Sequence, residues 1–328
     1  MLLFNPSPLT PLCLAAHPIP APTPTSPPPH STTPSRTPQD YPIQVDGRNV
    51  TDDVHEVLSS IEAFTDRVRS GEFVGATGQP LTNVVSVGIG GSYLGSEFVY
   101  QSLRCDDVAG AACEGRQLRF LANVDPVDVS RAIEGLDPAN TLVVICSKTF
   151  TTAETMLNAR TIRQWLVSAF PDVDEATVVR QHVVAASASI EKTRAFGISD
   201  ENVFGFWDWV GGRYSVCSAV GILPLALHFG MPVMSEFLAG AHSMDRHFVE
   251  TTSLAENLPV LMALIGVWNS SFLGHSVRAM LPYSQALMRF PAHIQQVGVK
   301  KRRCGGMSVF VCLCCGWGRD TCCVNEEG

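Results

Sequence analysis

The sequence predicts an α/β protein in three layers, with a parallel sheet between two layers of helices. Two observations carry that expectation. Nearly continuous apolar runs of six or seven residues recur along the chain, as strands buried on both faces require. Amphipathic helical stretches separate these runs with short connections, the alternation that builds parallel βαβ units. In such sheets ligands bind beyond the carboxyl ends of the strands.

The elements follow in order. The first 40 residues hold twelve prolines and no acidic residue before Asp40. That composition cannot offset chain entropy by apolar burial, so residues 1–42 are expected to form a disordered extension. The segment is Ser-rich and acid-poor like an organelle transit peptide, but Arg36 stands alone where such peptides are Arg-rich. Val54, Val57, Leu58, Ile61, Phe64 and Val68 recur at helical spacing and predict a helix. "VVSVGI" (84–89) predicts a strand, residues 93–103 a helix, and "LRFLANV" (118–124) a second strand closed by "DPVD". "TLVVICS" (141–147) predicts a third strand. The helix after it, within 149–170, turns Ile162, Trp165, Leu166 and Ala169 inward. "HVVAAS" (182–187) predicts a fourth strand. The apolar "LPVLMALIGVWNSSF" (258–272) predicts a helix, and "VRAMLPY" (277–283) a strand that opens a second domain.

At 328 residues and 45% hydrophobic content, the chain can bury a sizeable core and has room for about two domains. The expected division is a first domain over 43–240, the start of a second over 241–296, and a Cys-rich tail over 297–328. Partner strands for the second sheet are missing, so apolar surface is expected to stand uncovered. A net charge of −8 and a pI near 5.6 argue against nucleic acid and anionic membranes as partners, since "KKRR" (300–303) is the one basic run. No apolar stretch reaches the roughly 18–20 residues of a membrane helix. Six of the eleven cysteines fall in the last 25 residues, and the other five are scattered, as in a cytoplasmic protein with reduced thiols. The terminal six lack the paired spacing of a zinc site, so no metal is expected.

Three stretches carry candidate chemistry. "ICSKTFTTAET" (145–155) gathers hydroxyls and one lysine at the end of a predicted strand. Thr151 to Glu154 fit a capping box, which starts a helix whose first-turn amides and positive end suit an anion. The hydroxyls of Ser147, Thr149 and Thr152 add neutral donors for the oxygens of a phosphate monoester; the alternative is an ordinary capped helix after a Ser/Thr-rich loop. "GIGGSYLG" (88–95) lets backbone approach a ligand at its glycines and offers Ser92 as a donor. It departs from the dinucleotide fingerprint because Tyr93 stands where the third glycine belongs, although Asp125 could serve as the ribose-binding acid. Two phosphate-suited loops favour a sugar phosphate over NAD. In "FWDWVGGRYSVCSAVG" (206–221), Phe206, Trp207 and Trp209 can anchor the segment while Gly211 and Gly212 present Arg213 to a developing oxyanion. The alternative is a structural ion pair with Asp208.

These stretches, followed by "LPYSQALMRFPAHIQQ" (281–296), resemble the glucose-6-phosphate isomerase family in order and content, nearest in character to its plant cytosolic members. The resemblance runs from about residue 45 to 296. It implies the sugar isomerase fold, a homodimer, no cofactor, and interconversion of glucose 6-phosphate and fructose 6-phosphate through an enediolate. Residue by residue, it implies that Ser147, Lys148, Thr149 and Thr152 hold the phosphate and that Gly91 and Ser92 touch the sugar phosphate. Arg213, with Gly212 beside it, corresponds to the arginine that steadies the enediolate, and Gln296 to a substrate-contacting glutamine. The family's basic glutamate, in a stretch reading roughly "ESNGK", has no counterpart here. Lys300 stands in that place, protonated at an ordinary pKa of about 10.4, so the general base is expected to be absent. On this reading the chain is truncated and inactive; a non-catalytic sugar-phosphate-binding or dimer-interacting fragment is the alternative.

Overall fold

The computed structural model describes residues 36–38, 42–45, 47–275 and 277–299. Most of the proline-rich extension, the "KKRR" run, Lys300 and the terminal cysteines lie outside the described residues. A two-residue hairpin ladder, β1 (Gln44–Val45) against β2 (Arg48–Asn49), leads into α1 (Val50–Ser70). Asn49 caps this helix by accepting from the Thr51 amide, and Gly71 ends it at φ 80°, a left-handed geometry that favours glycine.

Five strands form the central sheet: β3 (Asn83–Val87), β4 (Gln117–Leu121), β5 (Thr141–Cys146), β6 (Val183–Ala186) and β7 (Val203–Phe204). Their spatial order is β4-β3-β5-β6-β7, and every neighbouring pair is parallel. The four strands expected between residues 84 and 187 are all present, each within a few residues of its expected limits. β7 was not expected, because two residues are too short to leave a period.

Strand residues alternate between two cores, as a period of two dictates. Val84, Leu142, Val144, Cys146, Val184 and Ala186 face one apolar cluster, where α1 and α8 (Ala219–Phe229) pack. Val85, Val87, Val143, Ile145, Val183 and Ala185 face the other, covered by α4 (Pro126–Ile133), α5 (Ala153–Ala169) and α6 (Glu175–His182). The remaining helices of the α/β unit are α2 (Gly91–Leu103), α3 (Asp107–Ala112) and α7 (Ile190–Ala195). Every residue of α8 is buried, so it is the central helix of its layer.

Beyond α8 come α9 (Met231–Glu250), which crosses residue 240, then α10 (Leu258–Val267) and α11 (Phe290–Val299). α10 is apolar around its whole circumference, yet Gly266 is its one buried residue; Leu258, Met262, Leu264, Ile265 and Val267 all stand exposed. Apolar surface is therefore uncovered, as expected. No strand forms over 277–283, contrary to expectation; the run holds no more than a single bridge residue, Val277. No described helix is long and apolar enough to cross a membrane.

The end of α8 is tied to α1 by Arg69, which donates to the carbonyls of Leu227 (3.2 Å), His228 (2.6 Å) and Ala112 (2.7 Å). The His228 ring packs against Tyr100 and Phe229, and its Nδ1 has no hydrogen-bond partner. Burial first, then the charges of Arg69, Arg116 and Arg104, push its pKa down to about 4. The unfolded chain takes up a proton near pH 6.5 that the native state refuses, so stability is complete above 6.5 and is lost as pH falls toward 4. Between pH 7 and pH 4, urea unfolding of His228→Leu should show a smaller loss of stability than the parent, by on the order of 2–3 kcal/mol. Equal losses in the two proteins would refute this.

Candidate functional site

β3 and β5 are direct neighbours, in register from Asn83 opposite Thr141 to Val87 opposite Ile145. After β3 the chain crosses to β4 on one side; after β5 it crosses to β6 on the other. Loops leaving two adjacent strands in opposite directions open a crevice between them, the place where open α/β sheets bind ligands. The two Gly- and Ser/Thr-rich stretches are these loops.

The glycine loop turns at Gly90, with φ 58° and ψ −116°, and α2 starts at Gly91, two residues earlier than the periodicity suggested. A Cβ on Gly91 would collide with the Gly212 carbonyl group and stand 2.9 Å from its Cα. Only glycine at 91 allows this approach, whereas a Cβ on Gly212 would lie 3.9 Å from the Gly91 Cα, an ordinary contact. Ser215 fastens it: its hydroxyl donates to the Gly212 carbonyl (2.8 Å) and lies 3.1 Å from the Gly91 carbonyl. Ser92, half-buried in the first turn of α2, packs on Gly88.

The second loop begins at Ser147, whose amide donates to the Ala186 carbonyl (3.1 Å) while its buried Oγ has no partner. Lys148 Nζ donates to the carbonyl of Asp208 (2.6 Å), lies 3.4 Å from that of Val210, and is 3.6 Å from the exposed Asp208 carboxylate. Phe150 adopts φ 52°, a left-handed conformation rare outside glycine, and is buried against Phe196. Such a residue costs on the order of 1 kcal/mol, offset here by the burial of its ring. The capping box does not form. The Thr151 hydroxyl bonds that of Thr149 (2.7 Å), and the N-cap is Thr152, whose side chain makes no capping bond. No side chain caps the first turn of α5, which leaves its amides facing the loop.

Arg213 lies in the 3₁₀ turn Gly212–Cys217. Phe206 is buried, and Trp207 and Trp209 stack on each other with centroids 5.2 Å apart, so the aromatics do anchor the approach to this turn. The Arg213 guanidinium lies 4.8 Å over the Tyr214 ring, and its Nε is buried without a partner. The ion pair with Asp208 is not made, because Asp208 faces Lys148. Gln296, on α11, brings its Nε2 within 3.2 Å of where a Gly90 Cβ would be, and its Oε1 is buried and unpaired.

Gly91, Gly212 and Gln296 therefore meet around Gly90, while Ser147, Lys148 and Thr152 line the neighbouring loop and Thr149 turns its hydroxyl to Thr151. Beneath them, burial pushes the Cys146 thiol up to about 12, so it stays neutral. Asp125 caps α4 by accepting from the Val127 amide (2.9 Å), which occupies the acid a dinucleotide would use. Among the described residues no group of side chains could hold a metal ion. Sequence reasoning missed Ser215, whose signal was its place three residues after Gly212 in a glycine-led turn.

Fold and site define an open, parallel-sheet α/β protein with polar donors gathered at the switch point. Within that class, the model of the phosphoglucose isomerase family matches residues 30–304, and the chain belongs to that family. It is 56% identical over 266 residues to the cytosolic glucose-6-phosphate isomerase B of Oryza sativa subsp. japonica, a match covering 81% of this chain and 46% of that one. Identity to the Arabidopsis thaliana cytosolic enzyme is 55% over 265 residues, with the same shares. The crystal structure of a glucose-6-phosphate isomerase from Chlamydia trachomatis superposes with a TM-score of 0.68 at 28% identity, over 85% of this chain and 53% of that one. The chain spans about half the length of the curated relatives it matches.

Gly91→Ala should force the glycine loop and the 3₁₀ turn apart and lower stability by about 1–3 kcal/mol in urea unfolding. Gly110→Ala is the control, in a helix with nothing within 4 Å of the added methyl, and should be neutral or stabilising by up to about 1 kcal/mol. Equal effects of the two substitutions would show that the Gly91 contact does not matter.

Proposed function

We propose that the chain carries the sugar-phosphate-binding part of a glucose-6-phosphate isomerase and binds a hexose 6-phosphate without turning it over. One observation carries the reading: Ser147 Oγ, Arg213 Nε and Gln296 Oε1 are buried and unpartnered among the described residues, and all three belong to segments that converge on the β3/β5 switch point. A buried polar atom left unpaired costs roughly 1–3 kcal/mol, so three on segments that meet at one switch point suit a site that a polar ligand completes.

On this reading Ser147, Thr149, Thr152 and the uncapped amides of α5 receive the phosphate oxygens, and Lys148 adds positive charge. Gly91 and Ser92 face the sugar phosphate, with the Gly212 backbone packed against Gly91. Arg213 lies where it can stabilise the negative oxygen that develops when a proton leaves the carbon beside a carbonyl. Gln296 donates and accepts toward the sugar. Aldose–ketose interconversion also needs a base that removes the proton and returns it to the adjacent carbon. Lys300 cannot accept a proton at neutral pH, which supports binding without turnover. The chain works without a cofactor on this reading. The cytosolic names of its relatives support a cytoplasmic location, and pairing into a homodimer belongs to the same reading.

Isothermal titration with 6-phosphogluconate should give heat with the parent chain and at least tenfold weaker binding with Ser147→Ala. A coupled assay should detect no glucose 6-phosphate from fructose 6-phosphate beyond that of an Arg213→Ala control. Absence of heat from this chain, where a full-length relative gives it, overturns the binding claim; turnover above the control overturns the claim of inactivity.

A further inference from the structure

Gln296 reaches the glycine loop only because α11 lies along α2 in one register. Arg289 immediately precedes α11, and its carbonyl accepts from the His293 amide (3.3 Å), so Arg289, His293 and Gln296 follow one another at i, i+4 and i+7 on one helical face. Their partners run in the opposite direction. Arg289 Nη2 donates to Glu97 Oε1 (2.9 Å), the His293 ring stacks on Phe98 and approaches Gly95, and Gln296 lies at Gly90. The two segments therefore pass each other antiparallel, with the ion pair at one end and the candidate substrate contact at the other.

The contacts between these ends do not fix the register by themselves. Phe98 meets Phe290 and His293 with centroids 5.2 and 5.7 Å apart, and ring-on-ring packing tolerates sliding. A charge pair does not. Glu97 is 6% exposed, and among the described residues Arg289 is the one cation on it and its second oxygen has no hydrogen-bond partner. A buried carboxylate separated from its cation is strongly disfavoured, so any shift of α11 that parts the pair is resisted. A slip of one residue moves Gln296 by about 1.5 Å and turns it about 100° away from Gly90.

We propose that Glu97 and Arg289 are positioning residues: a charge clamp between α2 and α11 that holds the Gln296 amide against the glycine loop. The role of Gln296 toward a sugar phosphate rests on the function proposed above; the clamp itself rests on the geometry alone. Two measurements separate them. Hydrogen–deuterium exchange at the amides of 290–296 should speed up at least tenfold in Arg289→Ala and recover in the charge-exchanged Glu97→Arg/Arg289→Glu double variant. Unchanged exchange in Arg289→Ala overturns the clamp whether or not any sugar binds. Titration with 6-phosphogluconate should show about tenfold weaker binding for Arg289→Ala when Gln296 is present and less than twofold when the background is Gln296→Ala. Equal losses in both backgrounds would reduce Arg289 to a general structural role and overturn the positioning claim. A parent chain that binds nothing, yet loses protection in Arg289→Ala, defeats the binding reading and not the clamp.

Discussion

The contact between the Gly91 and Gly212 backbones is the constraint on which the candidate site depends. It joins the carboxyl end of β3 to the turn that carries Arg213, and it exists because Gly91 has no side chain. The turn is itself held from below. It leads through Ser218, whose hydroxyl accepts from the Val220 amide (3.4 Å), into the wholly buried α8. There Gly221 presses on the Val216 backbone so closely that a methyl group would collide with the Val216 carbonyl. Two glycine contacts, one at each end of the 3₁₀ turn, thus transmit the position of the buried helix to Arg213. A side chain at either would displace the arginine before it touched any ligand.

Much of the fold was legible because strand burial on both faces leaves an apolar run that needs no partner to be recognised. Val84 to Val87 and Thr141 to Cys146 are buried throughout, and the residues that follow them are Gly88 and Ser147. The candidate loops were legible for a related reason: small residues at the end of such a run have no packing role to explain them. What failed depended on tertiary competition. The Thr151–Glu154 pattern fits a capping box, but Thr149 claims the Thr151 hydroxyl once Phe150 turns left-handed to bury its ring. Arg213 and Asp208 are five residues apart and of opposite charge, yet Lys148, sixty residues before Asp208, reaches it first. The run over 277–283 has strand composition without a strand, since composition supplies propensity and a neighbouring strand supplies the hydrogen bonds.

Charge is divided between the loop after β5 and the 3₁₀ turn in a way that bears on ligand choice. Lys148 is stapled to main-chain carbonyls of 208 and 210, so its cation first serves to hold the second loop against the approach to Arg213. Its field still reaches the crevice, but its hydrogen-bonding capacity is partly engaged. Arg213, in contrast, keeps a buried donor unpaired and rests its guanidinium on an aromatic face instead of a carboxylate. A cation paired with an acid would have to break that pair before it could stabilise a new negative charge, whereas one held over a ring is already positioned and loses little. The loop after β5 therefore offers hydroxyls and amides to a permanent dianion, and the 3₁₀ turn beside it offers an uncommitted cation. That division suits a ligand with a fixed anionic end and a second point at which negative charge appears only during reaction.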